Sequence, residues 1–401
     1  MNWFKALGCR IIQAAFRAVL PLLPYRSPRL LGSCQEVGEA CEREGVRSVL
    51  IVTGPTVRRH GLTESVERVL NEQGVAYTVY DGTQPDPTVE NVEEGVALYQ
   101  KNGCRGLIAI GGGSPMDCAK AIGARVAYPN KSLRRMKGVL RVLRKIPPLI
   151  AIPTTAGTGS ETTLAAVITD PKHHRKYAMM SFSLIPRYAV LDASLTESLP
   201  PHVTATTGMD ALTHAIEAYL GRSTTTETRR LATESVALVF EHIEHAYADG
   251  HNRKAREGML LASYKAGIAF SKSYVGYIHA LAHALGGTYG VPHGLANAVI
   301  MPYVLEAYGS CVHQKLHVLG IAAGVCDRRD SHELGAKKMI EAIKELNARM
   351  AIPAHVAEIR KEDISEMAHH AEKEANPLYP VPKLMTAKEL EQLYFQIGGI
   401  E

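Results

Sequence analysis

Apolar runs, polar spacers and turn residues divide the chain into two parts of different character. In the first part, short β-branched runs end at glycine, proline or aspartate, and helical patterns separate them. This alternation predicts strands joined by helices, which is typical of a parallel sheet with helices on its faces. The predicted strands are 48–53, 75–80, 106–110 and 149–152, with weaker candidates at 165–169 and 188–191.

The second part has a helical pattern throughout. Strand signals nearly vanish after Leu199-Pro200-Pro201, and apolar residues recur at the spacing of amphipathic helices. We therefore predict an N-terminal extension over residues 1–30, an α/β domain over 31–198 and an all-α domain over 199–401. The helices predicted for the last domain are 211–220, 227–248, 254–271, 278–285, 334–350, 361–374 and 387–397.

The first 23 residues are apolar, but Lys5, Arg10 and Arg17 interrupt the run. The run is therefore too broken for a signal-peptide core and too charged to span a bilayer. Its pattern predicts a basic amphipathic helix. We expect this helix to dock on the protein's own surface, and the alternative is loose attachment to an anionic membrane face.

Composition narrows the classes of function. With 401 residues, 46% of them hydrophobic and 21% charged, the chain is long enough for two domains with sizeable cores. The net charge of +5 is small and no Lys/Arg run stands out, so nucleic-acid binding has no support. The seven cysteines are scattered and form no C-x-x-C pair, which argues against a disulfide framework or a thiolate zinc site. We expect a cytoplasmic protein in a reducing compartment.

A predicted strand leads directly into the glycine loop Gly111-Gly112-Gly113-Ser114, and a predicted helix follows. Glycines let the backbone approach a ligand, and the start of the helix favours a pyrophosphate. A tight strand-to-helix turn without a ligand is the alternative. A second loop of small residues, 153–161, follows another predicted strand. Two such loops at strand ends in an open α/β sheet indicate a ligand crevice.

Carboxylate and imidazole groups at helical spacing suggest a metal site in the second part. Asp210 and His214 are four residues apart, as are His279 and His283, so each pair lies on one face of a helix. His293 follows a predicted Gly-Gly turn and is expected to fold back toward the same point. Such groups suit a divalent cation. The chain has 17 histidines, so capping or core histidines are the alternative, but small apolar neighbours favour the metal site.

Four ordered blocks of this sequence, 111–120, 153–161, 207–217 and 279–297, carry a family resemblance. Together they resemble the metal-dependent alcohol dehydrogenases usually called the iron-containing family, whose fold is shared with glycerol dehydrogenase and dehydroquinate synthase. The resemblance extends from about residue 45 to the C-terminus. It implies a Rossmann-like α/β N-terminal domain and an all-α C-terminal domain of the dehydroquinate synthase-like type.

The resemblance also implies a role for each candidate residue. His283 would be a non-ligand histidine that faces the nicotinamide and substrate, and we expect it to relay the alcohol proton. A divalent cation would act as a Lewis acid while a hydride passes to or from NAD or NADP. Family habit favours Fe²⁺, and Zn²⁺ is the alternative.

The resemblance assigns the remaining candidates to four groups. The metal ligands would be Asp210, His214, His279 and His293. The pyrophosphate site would consist of Gly112, Gly113, Ser114 and Asp117, the cofactor cleft would be lined by Thr154, Thr155 and Thr158, and Lys176 would contact the nicotinamide ribose.

The segment after the first predicted strand departs from the family pattern. Many NAD-using members carry an aspartate there, and this chain has Gly54, followed by Arg58 and Arg59. An aspartate would repel a 2′-phosphate, whereas glycine does not, and arginine pairs well with phosphate. We therefore predict that NADP(H) is accepted beside Gly54. The alternative is that both arginines are solvated.

The resemblance predicts an NAD(P)-linked alcohol dehydrogenase or aldehyde reductase that acts on a small molecule and, by family habit, forms a homodimer. Another family oxidoreductase, such as a maleylacetate reductase or a hydroxyacid–oxoacid transhydrogenase, is the near alternative. A lyase of the dehydroquinate synthase type and a non-catalytic scaffold agree less well with the four blocks. The substrate is not indicated, and Tyr274, Tyr277 and Tyr379 are only candidate contacts.

Overall fold

The chain divides into two units, Pro24–Glu197 and Ser198–Glu401, and the N-terminal segment Met1–Leu23 groups with the second of them. A computed structural model describes residues 3–20, 23–171 and 175–400, without the side chains of Phe16 and Arg175. The predicted N-terminal helix forms as α1 (Trp3–Val19). Residues 1, 2, 21 and 22 of that predicted segment lie outside the described residues.

The first unit is an α/β structure, as predicted. Its strands are β1 (Arg29–Leu31), β2 (Ser48–Val52), β3 (Ala76–Tyr80), β4 (Gly106–Gly111), β5 (Gly138–Val139), β6 (Leu149–Pro153), β7 (Ala165–Asp170), β8 (Arg175–Met180) and β9 (Tyr188–Val190). Its helices are α2 (Val37–Arg43), α3 (Pro55–Arg59), α4 (Glu64–Glu72), α5 (Val89–Lys101) and α6 (Gly113–Ala127).

Six of these strands form a parallel sheet in the order β1-β9-β6-β4-β2-β3. The chain passes from β2 to β3 on one side and then returns to place β4 on the other side of β2. This reversal creates a crevice at the carboxyl ends of β2 and β4, where ligands bind in open α/β sheets. Gly111 at the end of β4 is paired with Pro153 at the end of β6, so both predicted small-residue loops leave the sheet side by side.

Alternation along the central strands builds one core on each face of this sheet. In β2, Leu50 and Val52 join the core cluster packed against α5 and α6. Val49 and Ile51 join the opposite cluster, which contains residues of α2 and α4. Because both faces are covered, the strands are apolar throughout, as parallel sheets require.

The strand predicted at 165–169 does not belong to the parallel sheet. It forms β7, which pairs antiparallel with β8, and β5 completes a separate three-stranded sheet. The sequence pattern did not predict β1, β5 or β8. Two of these strands are only two or three residues long, which is too short for the period-two pattern to be distinctive.

The second unit is helical within its described residues, as predicted. α7 packs on α8, α9 and α11, and α10 packs on α11 and α14. The helices are α7 (Pro201–Leu220), α8 (Thr226–Ala248), α9 (Arg253–Ser273), α10 (Tyr277–Tyr289), α11 (His293–Tyr308), α12 (His313–Ala322), α13 (His332–Arg349), α14 (Ile364–Ala375) and α15 (Ala387–Ile397).

The predicted turn at Gly286-Gly287 was wrong. Both glycines lie inside α10, which ends at Tyr289, and Gly290 then adopts the left-handed conformation with φ of 71°. The helix α11 was not predicted because its residues are apolar on nearly every side, and α12 was not predicted because its apolar residues show little periodicity. The stretch His293–Ala322 is long and apolar enough for a membrane span, but 61% of its apolar window is buried, as in a core helix.

Candidate metal centre and cofactor loops

Three helices bring the four predicted metal ligands together. Asp210 and His214 lie one turn apart on α7, His279 is in the first turn of α10, and His293 begins α11. One ligand atom from each of these residues can be chosen so that all four atoms lie within 4.8 Å of one another. Three of the residues are buried, and His293 is exposed on one side. The group is therefore buried on most sides and accessible to solvent at His293.

Three of the four groups contact the side-chain amide of a further residue, Asn297. The amide Nδ2 of Asn297 donates to Asp210 Oδ1 at 2.7 Å, and it lies 3.1 Å from His293 Nε2 and 3.3 Å from His279 Nε2. His214 packs beside them, with its ring centroid 4.5 Å from that of His279. One carboxylate and three imidazoles aimed at a common point are a donor set that suits a divalent cation. The residues present therefore fit a resident metal.

A buried carboxylate, Glu217, fixes the orientation of His279. Its Oε2 lies 2.6 Å from His279 Nδ1, and its oxygens also accept from the N–H groups of Gly276 and Ile278, each at 2.8 Å. This bond turns Nε2 of His279 toward the other ligands. Burial raises the pKa of Glu217 to about 7, although the two backbone N–H groups act in the opposite direction.

No role for Glu217 was predicted from the sequence. A signal was available, because Glu217 lies three residues after His214 and seven after Asp210, on the same face of one helix. Asn297, the amide among the ligands, was also missed. It lies four residues after His293 in a run of small and apolar residues, and nothing in that run distinguishes it from an ordinary core position.

His283 lies beside the four-ligand group and outside it. Its ring stacks on that of His293 with centroids 5.2 Å apart, and its Nδ1 lies 2.7 Å from Glu374 Oε1. The hydroxyl of Tyr379 donates to the same carboxylate oxygen at 2.7 Å. Burial lowers the pKa of His283, but the hydrogen bond and charge of Glu374 outweigh it and leave the pKa raised. The role of His283 as a proton relay stays a prediction.

The three candidate tyrosines have different surroundings. Tyr277 is fully buried and its hydroxyl lies 2.9 Å from Asn376 Oδ1, so it is a core residue. Tyr274 ends α9 with a positive φ of 66°, and burial raises its pKa. Tyr379 reaches the histidine group through Glu374.

In the α/β unit, the two small-residue loops pack directly against each other. The N–H of Thr154 donates to the carbonyl oxygen of Gly111 at 3.0 Å. A Cβ added at Gly112 would lie 3.3 Å from Thr155 Oγ1, and one added at Gly113 would lie 3.3 Å from Thr158 Cγ2. A side chain at either glycine would therefore crowd the neighbouring loop.

Asp117 serves the structure of these loops. Its carboxylate accepts from Ser160 Oγ at 2.9 Å and from the N–H of Val167 at 3.0 Å. Lys120, one turn later, is fully buried and donates to Ser160 and Thr163 of the second loop. Burial lowers the pKa of Lys120 to about 8, while Asp117 acts in the opposite direction. A direct contact from Asp117 to a pyrophosphate stays a prediction, as does one from Ser114 in the first turn of α6.

Gly54, Arg58 and Lys176 each have a defined protein environment. Gly54 precedes α3, and a Cβ there would lie 3.1 Å from the carbonyl oxygen of Thr83. Arg58 bonds to Thr63 and Glu67, so it is less available to a phosphate than the sequence suggested. Lys176 Nζ lies 2.7 Å from Asp86 Oδ2 on the surface, and its contact with a nicotinamide ribose stays a prediction.

The α/β unit has a sheet of the type that binds nucleotides, and the helical unit carries a His₃Asp group suited to a divalent metal. These features indicate a metal-dependent enzyme that uses a nucleotide cofactor. Comparison with known proteins specifies the family. The sequence profile described as "Iron-containing alcohol dehydrogenase" matches residues 30–193. The profile described as "Fe-containing alcohol dehydrogenase family, C-terminal" matches residues 204–397. The chain belongs to the iron-containing alcohol dehydrogenase family.

Individual relatives and solved structures agree with this membership. The chain is 39% identical over 358 residues to a probable alcohol dehydrogenase, EutG, of Escherichia coli, covering 89% of this chain and 88% of that protein. It is similar to a crystal structure of 1,3-propanediol oxidoreductase, with a TM-score of 0.90, 33% identity and coverage of 93% and 99%. A sulfoacetaldehyde reductase from Bifidobacterium kashiwanohense in complex with NAD⁺ aligns with a TM-score of 0.84, 28% identity and coverage of 94% and 99%. The chain is accordingly an oxidoreductase of the alcohol dehydrogenase class.

Proposed function

We propose that the chain interconverts a small alcohol and its aldehyde or ketone, using a divalent metal held by Asp210, His214, His279 and His293. The convergence of these four donor groups within 4.8 Å is the observation that carries the proposal. The names of the relatives support small alcohols or aldehydes as the substrate class. The NAD⁺ complex of the sulfoacetaldehyde reductase supports a nicotinamide cofactor.

When bound, the metal and the nicotinamide would supply Lewis-acid polarisation of the substrate oxygen and hydride transfer, respectively. The protein's own contribution is orientation and proton handling. Glu217 keeps His279 in one tautomer, and Asn297 holds the Asp210 carboxylate. His283 presents its ring on the open side, with 44% of its side chain exposed, while Glu374 accepts at its Nδ1. We infer that His283 exchanges the hydroxyl proton with solvent through its other nitrogen.

A cofactor-absorbance assay with a panel of alcohols and aldehydes tests the proposed reaction. We expect net reduction or oxidation of the nicotinamide, and His283→Ala should lower kcat by roughly 10²- to 10⁴-fold while the metal content is retained. Asp210→Asn is the matched variant that should lose both metal and activity. Turnover without net change in cofactor would instead support a lyase, and full activity in His283→Ala would exclude the relay.

We propose Fe²⁺ as the resident metal, because the matching family profiles are named for iron. Imidazole and carboxylate ligands also suit Zn²⁺, whose intrinsic affinity for such a set is higher. Elemental analysis of protein purified without oxygen distinguishes the two. Activity restored equally by zinc alone would contradict an iron requirement.

We propose that NADP(H) is accepted in addition to NAD(H). Gly54 follows β2 at the crevice and presents no acidic group to a 2′-phosphate. Arg59 at the end of α3 is the better phosphate partner, since Arg58 already bonds to Glu67.

The ratio of kcat/KM for the two cofactors tests this preference. Gly54→Asp should lower kcat/KM for NADP more than for NAD, because a carboxylate repels the 2′-phosphate. Gly54→Ala is the matched control, since it introduces the same crowding 3.1 Å from the Thr83 oxygen without the charge. A wild-type enzyme that strongly prefers NAD would refute the proposal.

A further inference from the structure

The helix α1 contacts the helical unit through its polar side. The buried side chain of Gln13 donates to the carbonyl oxygen of Tyr379 at 2.7 Å. The guanidinium of Arg10 donates to the carbonyl oxygens of Val381 and Pro382 at 2.7 and 3.0 Å. An amphipathic helix on a globular protein ordinarily buries its apolar stripe, and here hydrogen bonds to backbone carbonyls hold the helix instead.

The opposite side of α1 is an apolar face open to solvent. Trp3, Leu7 and Ile11 recur every four residues and form one stripe, and Phe4 packs edge-on against Trp3 with ring centroids 5.0 Å apart. Trp3 is 67%, Phe4 74% and Ile11 59% exposed. A contiguous exposed patch of large apolar side chains marks an interaction surface. The α1 apolar face consists of Trp3, Phe4, Leu7, Ile11, Ile12 and Val19.

Cationic side chains of α1 flank this face, and α1 contains no Asp or Glu. Lys5 and Arg17 are exposed on α1, and Lys5 is paired with Glu372. Because the charged residues of α1 are Lys5, Arg10 and Arg17, an anionic partner is favoured.

We propose that the α1 apolar face binds the surface of an anionic lipid bilayer. Aromatic and aliphatic side chains would enter the boundary between headgroups and acyl chains, and the surrounding cations would contact the headgroups. The hydrogen bonds of Gln13 and Arg10 keep α1 on the helical unit with this face turned outward. Attachment to the protein surface and attachment to a membrane are therefore compatible, because they use opposite sides of one helix.

A second copy of the chain is a less suitable occupant. A symmetric contact through α1 would bring the same cations of the two copies together. The surface of an anionic bilayer offers negatively charged headgroups to the cations of α1 and an apolar interior to the α1 apolar face.

The single tryptophan of the chain makes the test direct, because Trp3 lies on the proposed face. The full-length protein is mixed with vesicles of phosphatidylcholine alone or with added phosphatidylglycerol. With the anionic vesicles we expect a blue shift of tryptophan emission, quenching by brominated acyl chains, and co-sedimentation about 10-fold stronger than with phosphatidylcholine alone. Raised salt should weaken the binding.

Phe4→Ser/Ile11→Ser should lower binding to anionic vesicles about 10-fold or more, and Arg17→Glu should abolish the preference for anionic lipid. Leu334→Ser is the matched control, because Leu334 is an exposed apolar residue on α13 and its loss should leave binding unchanged. All three variants should retain wild-type activity, which shows that they are folded. Absence of an emission shift with anionic vesicles would overturn the proposal, as would self-association that requires Phe4 and Ile11 without vesicle binding.

Discussion

At the scale of single residues, Glu217 shows how much of the metal centre depends on groups that are not ligands. It is buried and accepts from His279 and from two backbone N–H groups. Such a carboxylate strengthens the ligand that it orients and also satisfies donors that would otherwise be stranded. Glu217 therefore contributes both to folding and to the orientation of a metal-site residue.

The substitution Glu217→Gln separates these two contributions. The amide keeps one acceptor oxygen and the side-chain volume, so the protein should fold. Without the carboxylate charge, affinity for the metal should fall roughly 10- to 100-fold, measured by competition with a chelator. Unchanged affinity would show that Glu217 only fills space. Glu241→Gln, an exposed position on α8, is a suitable control.

Glu374 contacts Nδ1 of His283 as Glu217 contacts Nδ1 of His279. Glu374→Gln keeps the size of the side chain but removes the charge that holds His283 through Nδ1. We expect kcat to fall roughly 10- to 100-fold with KM nearly unchanged, which is less than the loss expected for His283→Ala. Tyr379→Phe removes only the second bond to the same oxygen and should have the smaller effect. An equal kcat in wild type and Glu374→Gln would contradict this positioning role.

At the scale of elements, the two loops at the ends of β4 and β6 act as one unit. Gly113→Ala would place a methyl group 3.3 Å from Thr158 Cγ2, which pushes the loops apart. We expect a higher KM for the cofactor and a lower melting temperature. Thr158→Ser removes that methyl group and keeps the hydroxyl that accepts from the N–H of Ser160. The double variant should therefore recover part of the cofactor affinity and part of the melting temperature. If neither recovers, the effect of Gly113→Ala does not arise from its contact with Thr158.

The second loop also carries a buried acid whose titration should affect stability. Burial raises the pKa of Glu161 from 4.5 to about 7, against the effects of its own backbone N–H and of Lys120. Between these values the folded protein binds more protons than the unfolded chain, so the free energy of unfolding falls as pH rises through this window. At about 1.4 kcal/mol per pKa unit, the loss is about 3 kcal/mol at most.

Glu161→Gln removes this titration while it keeps the shape of the side chain. The melting temperature of the variant should therefore rise relative to wild type as pH increases from about 5 to about 8. Thermal unfolding at several pH values measures the difference. A constant difference across this range would show that Glu161 has an ordinary pKa in the folded protein.

At the scale of the whole molecule, metal binding should couple to stability. The candidate ligands come from α7, α10 and α11, so a bound cation would cross-link three helices of one unit. A metal concentration 100 times Kd should raise the free energy of unfolding by about 2.7 kcal/mol. We expect a higher melting temperature with Fe²⁺ or Zn²⁺, reversal by a chelator, and no rise in Asp210→Asn. His283→Ala should keep the rise, and its loss there would make His283 a ligand.

The sequence by itself determined the parallel sheet and the helical second unit, and it supplied five candidate metal ligands, among which the family resemblance selected four. Hydrophobic periodicity is local, so it identified β2, β4, β6 and most helices of the second unit near their observed bounds, although α7 begins ten residues before its predicted start. The i,i+4 spacing of Asp210 and His214 identified one face of one helix in the same way. These features depend on residues that are neighbours along the chain.

Only the tertiary structure decided which distant groups meet. Spacing treated His279 and His283 alike, and only the family resemblance separated them. The packing of α10 on α11 and α14 places His279 in the four-residue group and His283 against Glu374. The turn before His293 was wrongly placed because glycines within a packed helix resemble glycines in a turn. The sequence also did not predict that the apolar face of α1 points outward, because an amphipathic pattern predicts two faces without determining which one is buried.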